Sequence, residues 1–170
     1  EPLNKLLPAA LEKIPADVRP QVFHQAGKQH ADITAERYRD AAVEAEVAPF
    51  IKDMARAYGW ADLVICRAGA LTVSELACAG VASILVPYPH AVDDHQSKNG
   101  AYLAAHGAAM VVQQDELSAS RLTDLMKEFL SPAQGRATLL KMAKAARALG
   151  KPEATSTVVA RCLEVANYGA

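Results

Sequence analysis

Residues 62–89 read DLVICRAGALTVSELACAGVASILVPYP, and the reading of this stretch decides the fold. Leu63-Val64-Ile65-Cys66 and Ile84-Leu85-Val86 are unbroken apolar runs, as expected of short strands covered on both faces by helices. Between them, residues 72–79 carry helical spacing that stops at Gly80. Strand, helix and strand in close succession form the unit of a parallel sheet. The theme repeats outward: helix 51–59, strand 62–66, helix 72–79, strand 82–86, helix 94–106, strand 109–113. The expected class is therefore α/β, with a parallel sheet and helices on both of its faces.

Upstream, Leu3, Leu6, Leu7, Ala10, Leu11 and Ile14 recur at helical spacing and predict a helix over 3–14, with a kink or late start at Pro8. Val22 to Gly27 reads as a short strand ending in glycine, and Thr34 to Ala42 as a polar helix. Val43 to Val47 alternates as an outer strand would, and Pro49 ends it. The tail reads as all helix, in three apolar stripes. These are Leu122, Leu125, Met126 and Phe129; Leu139 to Ala146; and Val158, Val159, Cys162 and Val165.

The totals narrow the function classes. A chain of 170 residues with 51% apolar composition suits one domain. Eighteen Lys plus Arg against 19 Asp plus Glu leave a formal charge of −1, which disfavours nucleic acid as a partner. Cys66, Cys78 and Cys162 are odd in number, lie in apolar surroundings and form no CxxC pair, so they read as buried thiols of a reducing, cytoplasmic compartment. No stretch approaches the roughly 18 to 20 uninterrupted apolar residues of a membrane span, and no signal pattern opens the chain, which reads as soluble. GxGxxG, a P-loop lysine and GxSxG are all missing.

Ligands of such sheets bind beyond the carboxyl ends of the strands, which singles out loops 25–30, 48–53, 66–72 and 87–96. In the third loop, Gly69 frees the backbone and Thr72 stands where a helix should begin. Unpaired amides there, aided by the helix dipole, suit a phosphate. Thr72-x-x-Glu75 is equally a capping box, which spacing alone favours. In the fourth loop, His90, Asp93, Asp94 and His95 lack the spacing of a metal site; hydrogen bonding to a polar ligand, or capping by Asp93 or Asp94, is the better reading. Phe50, Ile51 and Met54 read as core by default, or as one wall for a flat base. His24 reads as a satisfied buried histidine and Lys28 as a solvated charge.

Taken together, HQAGKQH at 24–30, VAPFIKDMARAYGWADLVICRAGALTVSELACAG at 47–80 and VPYPHAVDDHQSKN at 86–99 resemble the C-terminal half of the MurG family. LNKLLPAALEKIP at 3–15 and KPEAT at 151–155 fit as well. These are UDP-N-acetylglucosamine:lipid I N-acetylglucosaminyltransferases of bacterial peptidoglycan synthesis. The resemblance implies a GT-B architecture, of which residues 1–170 would be the single Rossmann-like, UDP-sugar donor-binding domain with an all-helical tail. It implies that backbone at Ala70, Leu71 and Thr72 holds the diphosphate, that Glu75 binds the ribose hydroxyls, and that Ile51 pairs with uracil through its backbone. Phe50 and Met54 would lie nearby, Gln96 and His95 would meet the sugar, and Arg67 and Gly69 would border the site. Glu75 then becomes a ligand residue first and a cap second.

The family's glutamine pair is His95-Gln96 here, in a loop one residue longer than in some relatives. Its strand and glycine- and serine-rich loop ahead of the first helix precede the point where this sequence begins, as does the acceptor domain with the proposed catalytic base. The resemblance implies inverting transfer needing no metal or cofactor, with UDP-N-acetylglucosamine bound here and lipid I held by the missing half. Membrane contact, on the cytoplasmic face, would also belong mainly to that half. This piece alone is expected to bind donor without turnover. A non-catalytic nucleotide-sugar binding module, or the donor half of another UDP-sugar glycosyltransferase, are the alternatives.

Overall fold

Leu63–Cys66 and Ala82–Leu85 lie side by side as parallel strands, with Ala109–Val111 on the far side of the second. In this computed structural model, which describes residues 1–167, the order is α1 (Pro2–Glu12), β1 (Phe23–Gln25), α2 (Ala31–Asp40), β2 (Glu46–Ala48), α3 (Met54–Trp60), β3 (Leu63–Cys66) and α4 (Ala70–Ala79). Then come β4 (Ala82–Leu85), α5 (His95–Ala105), β5 (Ala109–Val111), α6 (Ala119–Leu130), α7 (Gly135–Leu149) and α8 (Ala154–Asn167). The alternating α/β reading holds from α2 to β5.

One parallel sheet was expected; there are two, β1-β2 and β3-β4-β5, which do not pair with each other.

Helices cover both faces of the larger sheet. Ala82 and Ile84 of β4 pack into a core with Leu11 of α1, Tyr38 of α2, Leu122 and Phe129 of α6 and Met142 of α7. Leu85, one residue out of phase, faces a second core with Leu76 of α4, Leu103 of α5 and Ala146 of α7. The α6 stripe is thus buried as predicted, and the α7 stripe in part, since Met142 and Ala146 are buried while Leu140 is 53% exposed. The third stripe is not: Val158, Val159 and Val165 of α8 are exposed, with nothing among the described residues covering them. Cys162 is exposed with them, contrary to the expectation of three buried thiols. Cys66 and Cys78 are half-buried, and burial pushes the Cys66 thiol up, to about 12.

Several boundaries move. α1 starts at Pro2 and runs through Pro8 without a late start, since a proline at the first helical position costs no hydrogen bond; Pro8 is buried. α2 begins at Ala31, three residues before the expected Thr34. Residues 43–45 lead out of α2 rather than pair, so β2 starts at Glu46. α3 begins at Met54 because the Asp53 side chain caps it, accepting from the Arg56 amide at 2.9 Å.

Beneath β1 lies a buried polar chain. Asn4 Nδ2 donates to the carbonyl of Ala26 at 2.8 Å. Asn4 Oδ1 then faces His24 Nε2 at 3.0 Å, and His24 Nδ1 faces the Tyr38 hydroxyl at 2.9 Å. This wiring requires the proton on Nε2, leaving Nδ1 to accept from Tyr38. Burial, and secondarily the N-terminal ammonium, lower the His24 pKa to about 4, so the ring is neutral at pH 7. The satisfied buried histidine read from sequence is what the structure holds.

Candidate active site

Side-chain hydrogen bonds join the four loops singled out in the sequence in two pairs, and a further bond links helices α3 and α4 between the pairs. Gln25, the last residue of β1, accepts from the Ile51 amide at 2.8 Å, joining the loops after β1 and β2. Tyr58 of α3 donates to Glu75 of α4 at 3.0 Å. Asn99 of α5 donates to the carbonyl of Ala68, between β3 and α4, at 3.1 Å. Arg67 reaches across to the carbonyls of Val86 and Pro87, at 3.2 and 3.0 Å, and to Gln114 Oε1 at 2.5 Å. It thereby clamps the ends of β3 and β4 and the loop after β5, with its guanidinium 5.6 Å from the centre of the Tyr88 ring.

α4 begins two residues earlier than expected. Gly69 is its N-cap, with no side-chain cap bond, and Thr72 sits inside the first turn. The Thr72-Glu75 capping box does not form, since Thr72 would have to stand outside the helix for its hydroxyl to meet the amide of residue 75. Instead Glu75 accepts from Tyr58. The Val73 amide already bonds the Gly69 carbonyl at 2.9 Å. The amides of Ala70, Leu71 and Thr72 therefore remain as the unpaired donors of the helix start, where the dipole is positive. Leu71 is 81% exposed, so the approach to them is open.

The predicted wall for a flat base is partly corrected. Phe50 is 66% exposed and is no core residue, while Ile51 and Met54 are half-buried. Phe50 and Ile51 border an open groove of about 870 Å³ that runs along β1 and β2 to Trp60. The Ile51 amide donates to the side-chain carbonyl oxygen of Gln25.

In the fourth loop, neither Asp93 nor Asp94 caps α5 by its side chain. Both adopt left-handed backbone, at φ 51° and 52°, which turns their carboxylates away from the capping position. His95 Nδ1 donates to the carbonyl of Val92 at 2.7 Å, and Gln96 Oε1 accepts from the Tyr88 amide at 3.0 Å. The Gln96 amide nitrogen has no hydrogen bond among the described residues, whereas His95 has one nitrogen spent on its own loop. Arg67 is committed to carbonyls and offers the rim rigidity. Among the described residues, no three His, Cys, Asp or Glu side chains converge as a metal site would need.

Sequence reasoning passed over Gln25, Tyr58, Asn99 and Gln114. A signal existed for Gln25, which ends a strand at the ligand side of the sheet. Tyr58 and Asn99 sit at ordinary helix positions and gain their meaning only from what packs opposite.

Comparison with known proteins identifies the family. Residues 1–158 match the glycosyltransferase family 28 C-terminal domain. The chain is similar to the UDP-N-acetylglucosamine--N-acetylmuramyl-(pentapeptide) pyrophosphoryl-undecaprenol N-acetylglucosamine transferase of Ectopseudomonas mendocina (strain ymp), 67% identical over 165 residues, which cover 97% of this chain and 46% of that protein. The protein of the same name from Pseudomonas putida (strain W619) is 64% identical over 167 residues, covering 98% and 46%. The crystal structure of Acinetobacter baumannii MurG superimposes with a TM-score of 0.86 at 44% identity, over 96% of this chain and 48% of that one. Glycosyltransferase VinC shares the fold, with a TM-score of 0.56 at 19% identity over 91% of this chain and 43% of its own. The chain spans about half the length of the curated relatives it matches. With its parallel sheets, its bare helix start beyond β3 and this match over nearly all its residues, the chain belongs to glycosyltransferase family 28, whose C-terminal domain it carries.

Proposed function

We propose that this domain binds UDP-N-acetylglucosamine and serves as the donor half of an enzyme that transfers N-acetylglucosamine to lipid I. The observation that carries this reading is the start of α4. Three amides without intrahelical partners face open space at the carboxyl end of β3, a ready place for a diphosphate. Glu75 lies one turn further along to receive ribose hydroxyls, the Ile51 amide offers a donor to a pyrimidine carbonyl, and Gln96 offers its amide hydrogens to a sugar. The relatives named above carry the same activity in their names.

In the complete enzyme, a hydroxyl of the acceptor attacks the anomeric carbon and UDP leaves from the opposite side. Negative charge grows on the departing diphosphate, so preset N–H donors at Ala70, Leu71 and Thr72 stabilise the transition state more than the ground state. Losing one such donor typically raises the barrier by about 3 to 4 kcal/mol. In this reading the amides supply that stabilisation without a divalent cation. In this reading the acceptor, the catalytic base and the cytoplasmic-side membrane contact are the business of the enzyme's other half.

Isothermal titration of the chain with UDP-N-acetylglucosamine, UDP-glucose and UDP tests the reading. Binding of UDP and its N-acetylglucosamine conjugate, unaffected by EDTA, is the expected result. No heat from any of the three at millimolar concentration, or a crystal soak placing UDP away from the α4 start, refutes it.

A further inference from the structure

Glu75 stands on an exposed face of α4, where a glutamate side chain samples many rotamers, and ordering one can cost up to about 2 kcal/mol. Here it is not free. Tyr58 donates its hydroxyl to Glu75 Oε2 at 3.0 Å, and it is the one side chain bonded to that carboxylate among the described residues. Tyr58 itself is anchored: its ring packs against the core formed by α4, α5 and β4. Burial first, and the bond to Glu75 second, push the phenol pKa well above the ordinary tyrosine range, so the hydroxyl stays protonated and donating at any physiological pH. One lone pair of Oε2 is used, leaving the other and both of Oε1 to accept from two adjacent hydroxyls.

We propose that Tyr58 is a positioning residue that holds the Glu75 carboxylate ready for a vicinal diol, and so sets the preference of this site for ribose over 2′-deoxyribose. The proposal rests on the reading of Glu75 as the ribose ligand. It follows from placement: α3 leads from the base-facing loop to β3, and its one side-chain hydroxyl ends on the carboxylate of the neighbouring helix. Preordering a charged acceptor before the ligand arrives removes an ordering cost from binding.

The test is calorimetric titration of the wild-type chain, Tyr58→Phe, Glu75→Ala and the double variant with UDP and with 2′-deoxy-UDP, after thermal melts have established folding. Tyr58→Phe is expected to weaken UDP about threefold to tenfold and to leave 2′-deoxy-UDP within about twofold, so that the ribose preference shrinks. In the Glu75→Ala background the same change should do nothing. Equal weakening of both ligands by Tyr58→Phe marks a merely structural role and overturns the proposal. So does an unaltered UDP affinity in Tyr58→Phe beside a weakened one in Glu75→Ala, which leaves the Glu75 reading standing. Unaltered affinity in Glu75→Ala removes the ribose role of Glu75 itself. Should Tyr58→Phe not fold, Tyr58→Leu, which also lacks a donor, carries the same comparison.

Discussion

Acidification should unfold this chain in part through a single side chain, His24. In the folded state its pKa is about 4, because the ring is buried and both nitrogens are used in hydrogen bonds that require the neutral form. In the unfolded chain it returns to the ordinary value of 6.5. A folded pKa below the unfolded one means that the unfolded state binds the extra proton. Its contribution is therefore complete above pH 6.5 and is lost as the pH falls from there to about 4. At 1.36 kcal/mol per pH unit, the loss reaches about 2 kcal/mol at pH 5 and about 3 kcal/mol at pH 4. For a domain of this size that is a large part of a stability of about 5 to 15 kcal/mol.

Urea denaturation followed by circular dichroism at pH 7, 6 and 5 measures the effect, with His24→Gln as reference. Glutamine donates to Asn4 and accepts from Tyr38 but cannot take up a proton. His24→Gln should be the less stable protein at pH 7, by about 1 to 2 kcal/mol for imperfect replacement of buried hydrogen bonds. The gap should then narrow by about 2 kcal/mol on going to pH 5, since carboxylate effects are common to both proteins. Two parallel stability profiles would show that His24 is not the acid-labile group and would refute its depressed pKa in the folded state.

Other substitutions probe the rim. Glu75→Gln should weaken UDP binding in calorimetry while changing thermal stability by no more than about 0.5 kcal/mol, because no capping box is there to lose. A stability loss of 1 kcal/mol or more with unaltered affinity would reverse that conclusion. Gln25→Ala frees the Ile51 amide, which Gln25 now occupies as a pyrimidine carbonyl would, so UDP should bind about twofold to fivefold tighter; weaker binding would make Gln25 a support instead of a competitor. Arg67→Lys should lower stability by about 2 kcal/mol in chemical denaturation, since an ammonium cannot span three acceptors and the Tyr88 ring together. Wild-type stability in that variant would remove the clamp from the account.

The start of α4 illustrates how far the sequence could be read. Leu63 to Cys66 declares a covered strand and Gly69 declares a turn, so a helix N-terminus beyond the sheet was legible from residue types alone. The register of that start was not. Thr72 and Glu75 have the spacing of a cap, and a helix beginning two residues earlier is equally compatible with the same letters. Only the packing of Val73, Leu76 and Ala77 into the core settles the phase, and with it the release of Glu75 from capping. The exposed stripe on α8 shows the opposite failure: an apolar helix face reports that something covers it, but never what.

Sequence alone thus determined the alternation of strands and helices and the family, because these depend on local periodicity and on motifs contiguous in the chain. Tertiary structure decided which polar side chains act together. Gln25 meets Ile51, Tyr58 meets Glu75 and Arg67 meets Gln114 across separations of 26, 17 and 47 residues. Contacts of that kind leave no periodic trace, since each partner satisfies its own element's pattern and the hydrogen bond exists only once the two elements have docked.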